Sequence, residues 1–342
     1  MLKKNKKIKA CLLVKKKKLS FCSLPIKKLK SGQVVVKLRY SSICQTQINE
    51  FYEKKDTSKF YPHTLGHEGS GIVIEKSKDV KKVNIGDKVV ITWLNCKGVD
   101  SGPQTFEYNN VAINSGSFFA FSDIAVVSEN KIMKLSPEIN MKLAPLLGCA
   151  IPTAFGSVDR LNVKKNHKVA IVGLGGVGLS ILIYLQFLKI NNVVLFDVDK
   201  NKIDFIKRNF PQFEVIDSKN IDLKKFKDSF DFSLECAGSV QAMEFSFSII
   251  SNTGTCLIIG NDHFDMNIKI NPFDLIKGKK IFGSWGGNID IYEKKFKKYE
   301  AVLKKNENLF KKLFNNEYSF LEIKSAFQEF GKKGNIRPLI KF

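Results

Sequence analysis

Arginine is scarce in this chain, no CxxC pair occurs, and no apolar run reaches the roughly eighteen residues that a membrane span needs. Each absence excludes something. The seven cysteines, at 11, 22, 44, 96, 149, 236 and 256, are odd in number and scattered, so a disulfide framework is not expected. In a reducing compartment such cysteines are structural, catalytic or metal ligands. The start, MLKKNKKIKACLLVKKKKL, is basic, but its apolar patch Ala10 to Val14 is too short for a signal-peptide core. No small-residue cleavage site follows it, so the expectation is a cytoplasmic protein without a membrane partner. There is no internal repeat, and no low-complexity segment beyond the lysines.

Acidic residues are also few. Net charge is +23, from 56 basic and 33 acidic residues. Nearly all the excess is lysine, spread along the whole chain on solvated faces such as Lys294-Lys295, Lys297-Lys298 and Lys304-Lys305. No basic stripe is interleaved with aromatics, so the charge reads as compositional bias and no specific nucleic-acid partner is expected. A mild benefit for anionic substrates remains.

The chain has 342 residues, too many for one ordinary core, and 44% of them are hydrophobic, so two folded domains are expected. One stretch organises the rest: Lys168 to Lys202. Val169 to Val172 reads as a buried strand, Gly173-Leu174-Gly175-Gly176-Val177-Gly178 follows, and an apolar helical pattern runs to about Leu188. A second apolar run, Val193 to Phe196, ends at Asp197. Gly173 allows a tight turn, Gly175 lets backbone approach a pyrophosphate, and Gly178 lets helix pack on strand. Asp197 is placed to accept ribose hydroxyls and to repel a 2′-phosphate, which predicts NAD rather than NADP. Lys202 closes the stretch and joins Gly173, Gly175, Gly176, Val177, Gly178 and Asp197 as a candidate cofactor residue.

Residues 8 to 40 and 65 to 92 alternate short apolar runs with turn signals, including Gly71 to Ile74 and Asp87 to Ile91 around Asn84-Ile85-Gly86. This predicts a largely β first part, a partly open barrel. From about 153 to 285, strand candidates at 168–172, 193–196, 230–234, 255–259 and 280–284 alternate with helices, which predicts a doubly wound parallel sheet. A helix at about 292–314, a short one near 320–330 and a last strand, Arg337 to Ile340, are assigned back to the first domain.

Three pieces of the first part could meet: Ser42 to Thr46, Leu65 to Gly71, and Leu146 to Cys149. Their Cys44, His67 and Cys149 would give one imidazole and two thiolates, a set suited to Zn²⁺ with one position open, as in catalytic sites. Taken singly, a cysteine in apolar company is a small core hydrophobe. It is the order Cys, His-Glu, Cys, then nucleotide fold that favours a metal.

On these residues the chain resembles the medium-chain, zinc-dependent alcohol dehydrogenases. The matching pieces are Cys44-Gln45-Thr46, Gly66-His67-Glu68-Gly69-Ser70-Gly71, Gly86 to Val89, Gly148-Cys149 with Thr153, Gly173 to Gly178, and Ile336-Arg337. The resemblance implies a GroES-like catalytic domain, 1–152 with 287–342, and a Rossmann NAD-binding domain, 153–286. It implies one catalytic zinc on Cys44, His67 and Cys149, with Glu68 behind it or briefly joining it. Thr46 would pass on the proton that an alcohol loses, and its hydride would go to the nicotinamide. Thr153 and Arg337 would hold the nicotinamide and pyrophosphate ends of the cofactor. A small alcohol or aldehyde substrate and a homodimer or homotetramer are implied too. Ile43-Cys44-Gln45, Asn49-Glu50 and Gly283 to Gly287 look similar to the glutathione-linked formaldehyde dehydrogenase branch.

There are departures. Gln47 stands where relatives often have Asp, and Asn49 where many have the histidine that ends the proton relay. Residues 93 to 120 hold only Cys96, so a second, structural zinc is not expected. Trp93 reads equally as pocket wall or packing residue. Two other readings stand beside the first: a zinc-free enone or quinone reductase on the same fold, and a basic, non-catalytic nucleotide- or nucleic-acid-binding protein.

Overall fold

The computed structural model describes residues 7–54, 58–219, 222–261, 265–287, 289–314, 316–332 and 335–342. The start of the basic N-terminal run, residues 1–6, lies outside the described residues. The chain divides into two compact units, Met1–Cys149 with Glu293–Phe342, and Ala150–Tyr292. Strands β1 (Lys7–Lys15), β2 (Lys18–Pro25) and β3 (Gln33–Ser42) come first, then helix α1 (Gln45–Phe51). Strands β4 (His63–Thr64), β5 (Glu68–Lys76), β6 (Lys88–Thr92), β7 (Phe106–Tyr108), β8 (Val111–Ile113), β9 (Ile124–Ser128) and β10 (Ile132–Lys134) follow. The second unit carries α2 (Ala150–Leu161), β11 (Val169–Val172), α3 (Gly176–Phe187), β12 (Val193–Asp197), α4 (Lys200–Asn209), β13 (Glu214–Asp217), β14 (Phe230–Glu235), α5 (Val240–Ser248), β15 (Ile250–Ile258), α6 (Pro272–Ile276) and β16 (Lys280–Gly283). Helix α7 (Ile289–Lys305) leads back to α8 (Glu307–Lys311), β17 (Glu317–Ser319), α9 (Ile323–Glu329) and β18 (Leu339–Lys341) of the first unit.

In the first unit the main sheet runs β10-β6-β5-β3-β18-β17, with β9 also pairing β3, and a small sheet runs β2-β1-β4. This is the expected partly open barrel. Strand β3 explains why Val34, Val35 and Val36 can all be apolar. Val34, Val36 and Leu38 join one core cluster, and Val35 points the other way into a second. Both faces of the strand are covered, so alternation disappears from the sequence.

The second unit is a six-stranded parallel sheet in the order β13-β12-β11-β14-β15-β16. The order reverses between β11 and β14, the place where open α/β sheets take ligands. The strand expected at 168–172 is β11, all of it buried. Helix α3 is apolar nearly all round and buries Leu179, Ile181, Leu182, Ile183, Tyr184 and Leu185.

Some expectations on the elements shift. The edge strand β13 and the hairpin strand β2 were not foreseen. The single helix expected at 292–314 is broken at Asn306, which caps α8. The last strand begins at Leu339, not Arg337, because Pro338 has no N–H to pair; its carbonyl instead accepts Ile43 N at 3.0 Å.

Candidate metal centre and nucleotide loop

Three turns of the first unit bring Cys44, His67 and Cys149 together. Cys44 leaves β3 in extended backbone and caps the start of α1. His67 directly precedes β5. Cys149 ends the short 3₁₀ turn Ala144–Gly148, whose last carbonyl accepts Thr92 Oγ1 at 2.8 Å. Gly148 must be glycine there, since a Cβ would stand 2.6 Å from Ile91 O and 3.0 Å from Glu68 Cβ. The ligand atoms of Cys44, His67 and Cys149 all lie within 4.8 Å of one another, the one such group among the described residues.

The chemistry of the donors fits a soft divalent cation. His67 as a whole keeps some exposure, but its Nε2 is out of contact with solvent and has no hydrogen-bond partner. A buried polar atom left unmatched in this way is rare, and a cation is the natural occupant. The other ring nitrogen, Nδ1, meets Gln47 Nε2. The Cys44 thiol is pulled well below the usual thiol range, first by a hydrogen bond with Cys149, against burial, with the charge of Arg337 and His67 helping. Cys149 is pushed well up by the same hydrogen bond and by burial. Burial acts to lower the His67 imidazole, but the facing Cys44 outweighs it and the net shift is upward. One thiolate, one thiol and one imidazole face a common point, which is the protonation pattern that a metal would resolve.

Behind them lies Glu68, fully buried. Its Oε1 accepts from Ser42 Oγ and from Nε and Nη2 of Arg337, itself 3% exposed. Arg337 Nε also donates to Ser42 Oγ at 3.0 Å. Glu68 Oε2 has no hydrogen-bond partner. Burial raises the Glu68 carboxyl more than Arg337 lowers it. The sequence reading assigned Arg337 to the cofactor; the structure places its guanidinium against Glu68 and Ser42. Ser42 and Thr92 were missed as parts of this site, and a lone Ser or Thr next to a strand carries no signal that would find them. Thr46 is half-buried on α1, and Asn49 Oδ1 accepts Gln45 Nε2 at 2.9 Å.

Residues 93–120 are held by side chains. Glu129 accepts from Lys81 N and Lys82 N at 2.7 and 2.9 Å, and from Val99 N at 3.1 Å. Lys131 Nζ donates to Trp93 O at 2.9 Å and to Asn95 Oδ1. Gln104 is linked to Lys27 N and O, and Gln33 to Gly102 O. Cys96 stands apart from any cluster of three possible ligands among the described residues.

In the second unit Gly173 ends β11 at φ +97°, and a Cβ there would strike Ala237 N at 2.5 Å across the β11–β14 reversal. Gly178 passes so near β11 that a Cβ would stand 2.0 Å from Gly173 O. A Cβ on Gly175 would meet nothing within 4 Å. The loop is therefore tight against protein on two sides and open at Gly175, as a phosphate cradle needs, with Gly176 and Val177 opening α3 behind it. Asp197, at the end of β12, is 7% exposed. Its Oδ1 accepts Val198 N and Asp199 N, and its Oδ2 accepts Leu174 N at 2.6 Å. Lys202 Nζ is 3.6 Å away, too long for a hydrogen bond, which leaves an acceptor position for a hydroxyl. Thr153 is buried on α2, its carbonyl accepting Ser157 Oγ at 2.6 Å.

Comparison with known proteins agrees with this geometry. Residues 30–137 match the alcohol dehydrogenase GroES-like domain, and residues 176–305 match the zinc-binding dehydrogenase domain. The chain belongs to the zinc-dependent medium-chain alcohol dehydrogenase family. Among its relatives in that family, an S-(hydroxymethyl)glutathione dehydrogenase from Synechocystis is 27% identical, covering 80% of this chain and 83% of its own. A class-3 alcohol dehydrogenase from Caenorhabditis elegans is 26% identical, covering 95% and 94%. Benzyl alcohol dehydrogenase from Acinetobacter calcoaceticus has the same fold, with a TM-score of 0.86 at 24% identity, covering 99% of this chain and all of that one. As a zinc-dependent alcohol dehydrogenase the chain is an oxidoreductase that works with zinc and NAD(P) on small-molecule substrates. No helix among the described residues is long and apolar enough to cross a membrane.

Proposed function

We propose that the enzyme interconverts an alcohol with its aldehyde or ketone using one zinc, held by Cys44, His67 and Cys149, and NAD, held by the glycine loop and Asp197. The observation that carries this reading is the convergence of the three ligand atoms around an unpartnered His67 Nε2. Bound there, zinc would supply the Lewis acidity that lets an alcohol lose its proton near neutral pH, and NAD would take up the hydride. The chain's own residues do the rest. Cys44 and Cys149 contribute negative charge that offsets the cation's. Glu68 stands behind them, its carboxylate fixed by Ser42 and Arg337, with Oε2 free to approach the metal. Thr46 Oγ1 receives the substrate's proton. Asn49 has no titratable group and its Oδ1 is engaged by Gln45, so it does not itself carry the proton onward; the ribose of a bound cofactor and water would offer the way out.

In this reading 1–152 with 287–342 form the catalytic domain, and 153–286 form the nucleotide domain. Gly173, Gly175, Gly176, Val177 and Gly178 cradle the pyrophosphate, and Lys202 stands beside Asp197 at the ribose. Thr153 serves the nicotinamide end, and the Nη1 donors of Arg337 the pyrophosphate. The free edge of β16 and the exposed Phe273, Leu275 and Ile276 on α6 favour a homodimer or a tetramer built from it. Seven free cysteines suit the cytoplasm. The lysine-rich surface and the named relatives favour an anionic alcohol such as a hydroxymethyl thiol adduct.

The test is turnover of a panel of alcohols, polyols and S-hydroxymethylglutathione, followed at the NADH absorbance alongside metal analysis. Turnover by metal-free protein would favour the zinc-free reductase. Asp197→Ala should weaken NAD binding and relax the preference against NADP. Equal rates with NAD and NADP in the unmutated enzyme would overturn the NAD assignment.

A further inference from the structure

At the candidate metal centre one amide stands between a backbone N–H and an imidazole nitrogen. Gln47 Oε1 accepts the Cys44 N–H at 2.8 Å and closes a capping box at the start of α1. The other end of that amide, Nε2, meets His67 Nδ1. Gln47 is 2% exposed. In this arrangement Nδ1 is the acceptor, so a neutral imidazole carries its proton on Nε2. That is the wrong tautomer for a ligand, because with Nδ1 against Gln47 it is Nε2 that is left for a cation, and it must be bare to bind one. Metal binding therefore moves the ring proton to Nδ1, which then needs an acceptor.

Turning the amide over does not remove the conflict. It presents Oε1 to Nδ1–H and turns the NH₂ group onto the Cys44 N–H. In either orientation two donors, Cys44 N–H and His67 Nδ1–H, share a single acceptor oxygen, and one buried N–H loses its partner. A carboxylate at the same place would serve both.

Resting on the reading of Cys44, His67 and Cys149 as the ligand set, we infer that Gln47 is a positioning residue whose single amide oxygen supports metal binding less than a carboxylate there would, and hands the α1 cap over to His67 when the cation enters. The first turn of α1, which carries Thr46, is thereby coupled to metal occupancy. Zinc is held less tightly than it would be with a carboxylate behind His67.

The test strips the full-length protein with a chelator and titrates Zn²⁺ back against a chromophoric chelator. Gln47→Glu, with two acceptor oxygens at the same reach, should bind zinc roughly 10- to 100-fold more tightly than the parent, the usual size of an outer-shell effect. Gln47→Met, with no acceptor, should bind it more weakly than the parent. Hydrogen exchange at the Cys44 amide should speed up on zinc binding in the parent and not in Gln47→Glu, a difference that a purely packing role would not produce. A Gln47→Glu affinity equal to or weaker than the parent's overturns the inference. If that variant does not fold, a Gln47→Met affinity equal to the parent's overturns it. Parent zinc binding that survives Cys149→Ser unchanged would instead overturn the ligand assignment on which the inference rests.

Discussion

Two polar clusters in the first unit are finished to different degrees. At Glu129 and Lys131 the charged groups are answered: three backbone N–H groups meet one carboxylate, and a lysine ammonium meets a carbonyl and an amide. Around Cys44 and His67 the answer is incomplete. His67 Nε2 and Glu68 Oε2 are buried without hydrogen bonds, and two thiols share a proton. The first pattern is that of a part that holds shape, and the second that of a part that waits for something. Each holds a buried carboxylate and a cationic side chain, so charge alone does not separate them; Glu129 is met on both carboxylate oxygens and Glu68 on one.

The comparison breaks first at Cys149. Cys149→Ser should remove zinc and turnover together, by orders of magnitude in rate, while costing little in folding stability. Full zinc and activity in that variant would mean that the second cluster is mere packing. Zinc content checks the other side: one ion per chain is expected, and two tightly bound ions would show that residues 93–120 are not held by side chains alone.

The Glu129 cluster should answer in stability instead. Glu129→Ala should destabilise the protein by about 2 kcal/mol, since three part-buried N–H groups lose a charged acceptor, and should leave the zinc content as it was. Denaturant unfolding with metal analysis on the same samples separates the two effects. A smaller effect is expected from pH. Burial acts to raise the Glu129 carboxyl, but the N–H groups of Lys82, Lys81 and Val99 hold it below its ordinary value of 4.5. A pKa lower when folded than when unfolded gives stability that is complete above the unfolded value and lost as pH falls through the folded one. Glu129→Gln should therefore flatten the acid limb of the stability profile; an unchanged limb would remove Glu129 from that account. The smallest effect belongs to Cys236→Ser, at the end of β14, which should leave both zinc and turnover in place.

Much of this was legible in the residues, and the reasons are local. The Gly173-to-Gly178 turn and Asp197 announce themselves because backbone shape and a ligand both constrain them. The ligand residues stand beside glycines such as Gly148, which close approach requires. What escaped is what depends on distant partners. Strand β13, Glu214–Asp217, is four residues with two acids, and only pairing with β12 makes it a strand. The hairpin strand β2 alternates weakly because neither face is well covered, Leu24 being its one buried residue. The contact of Arg337 with Glu68 and Ser42 escaped because it is set by β18 pairing with β3, which no short motif encodes. Gln47 was seen as a neutral replacement, but its double engagement needed the positions of Cys44 N and His67 Nδ1.

The Glu68–Arg337 pair has a consequence for how the molecule is made. The two residues are separated by 269 positions in the chain. A ribosome therefore delivers Glu68, both cysteines and the histidine long before the guanidinium that balances the carboxylate. In between it releases the whole of Ala150–Tyr292, a continuous unit with its own sheet and core. The nucleotide unit can mature while Glu68 still lacks its guanidinium partner, so the carboxylate behind the metal centre is balanced only when the last stretch of chain arrives.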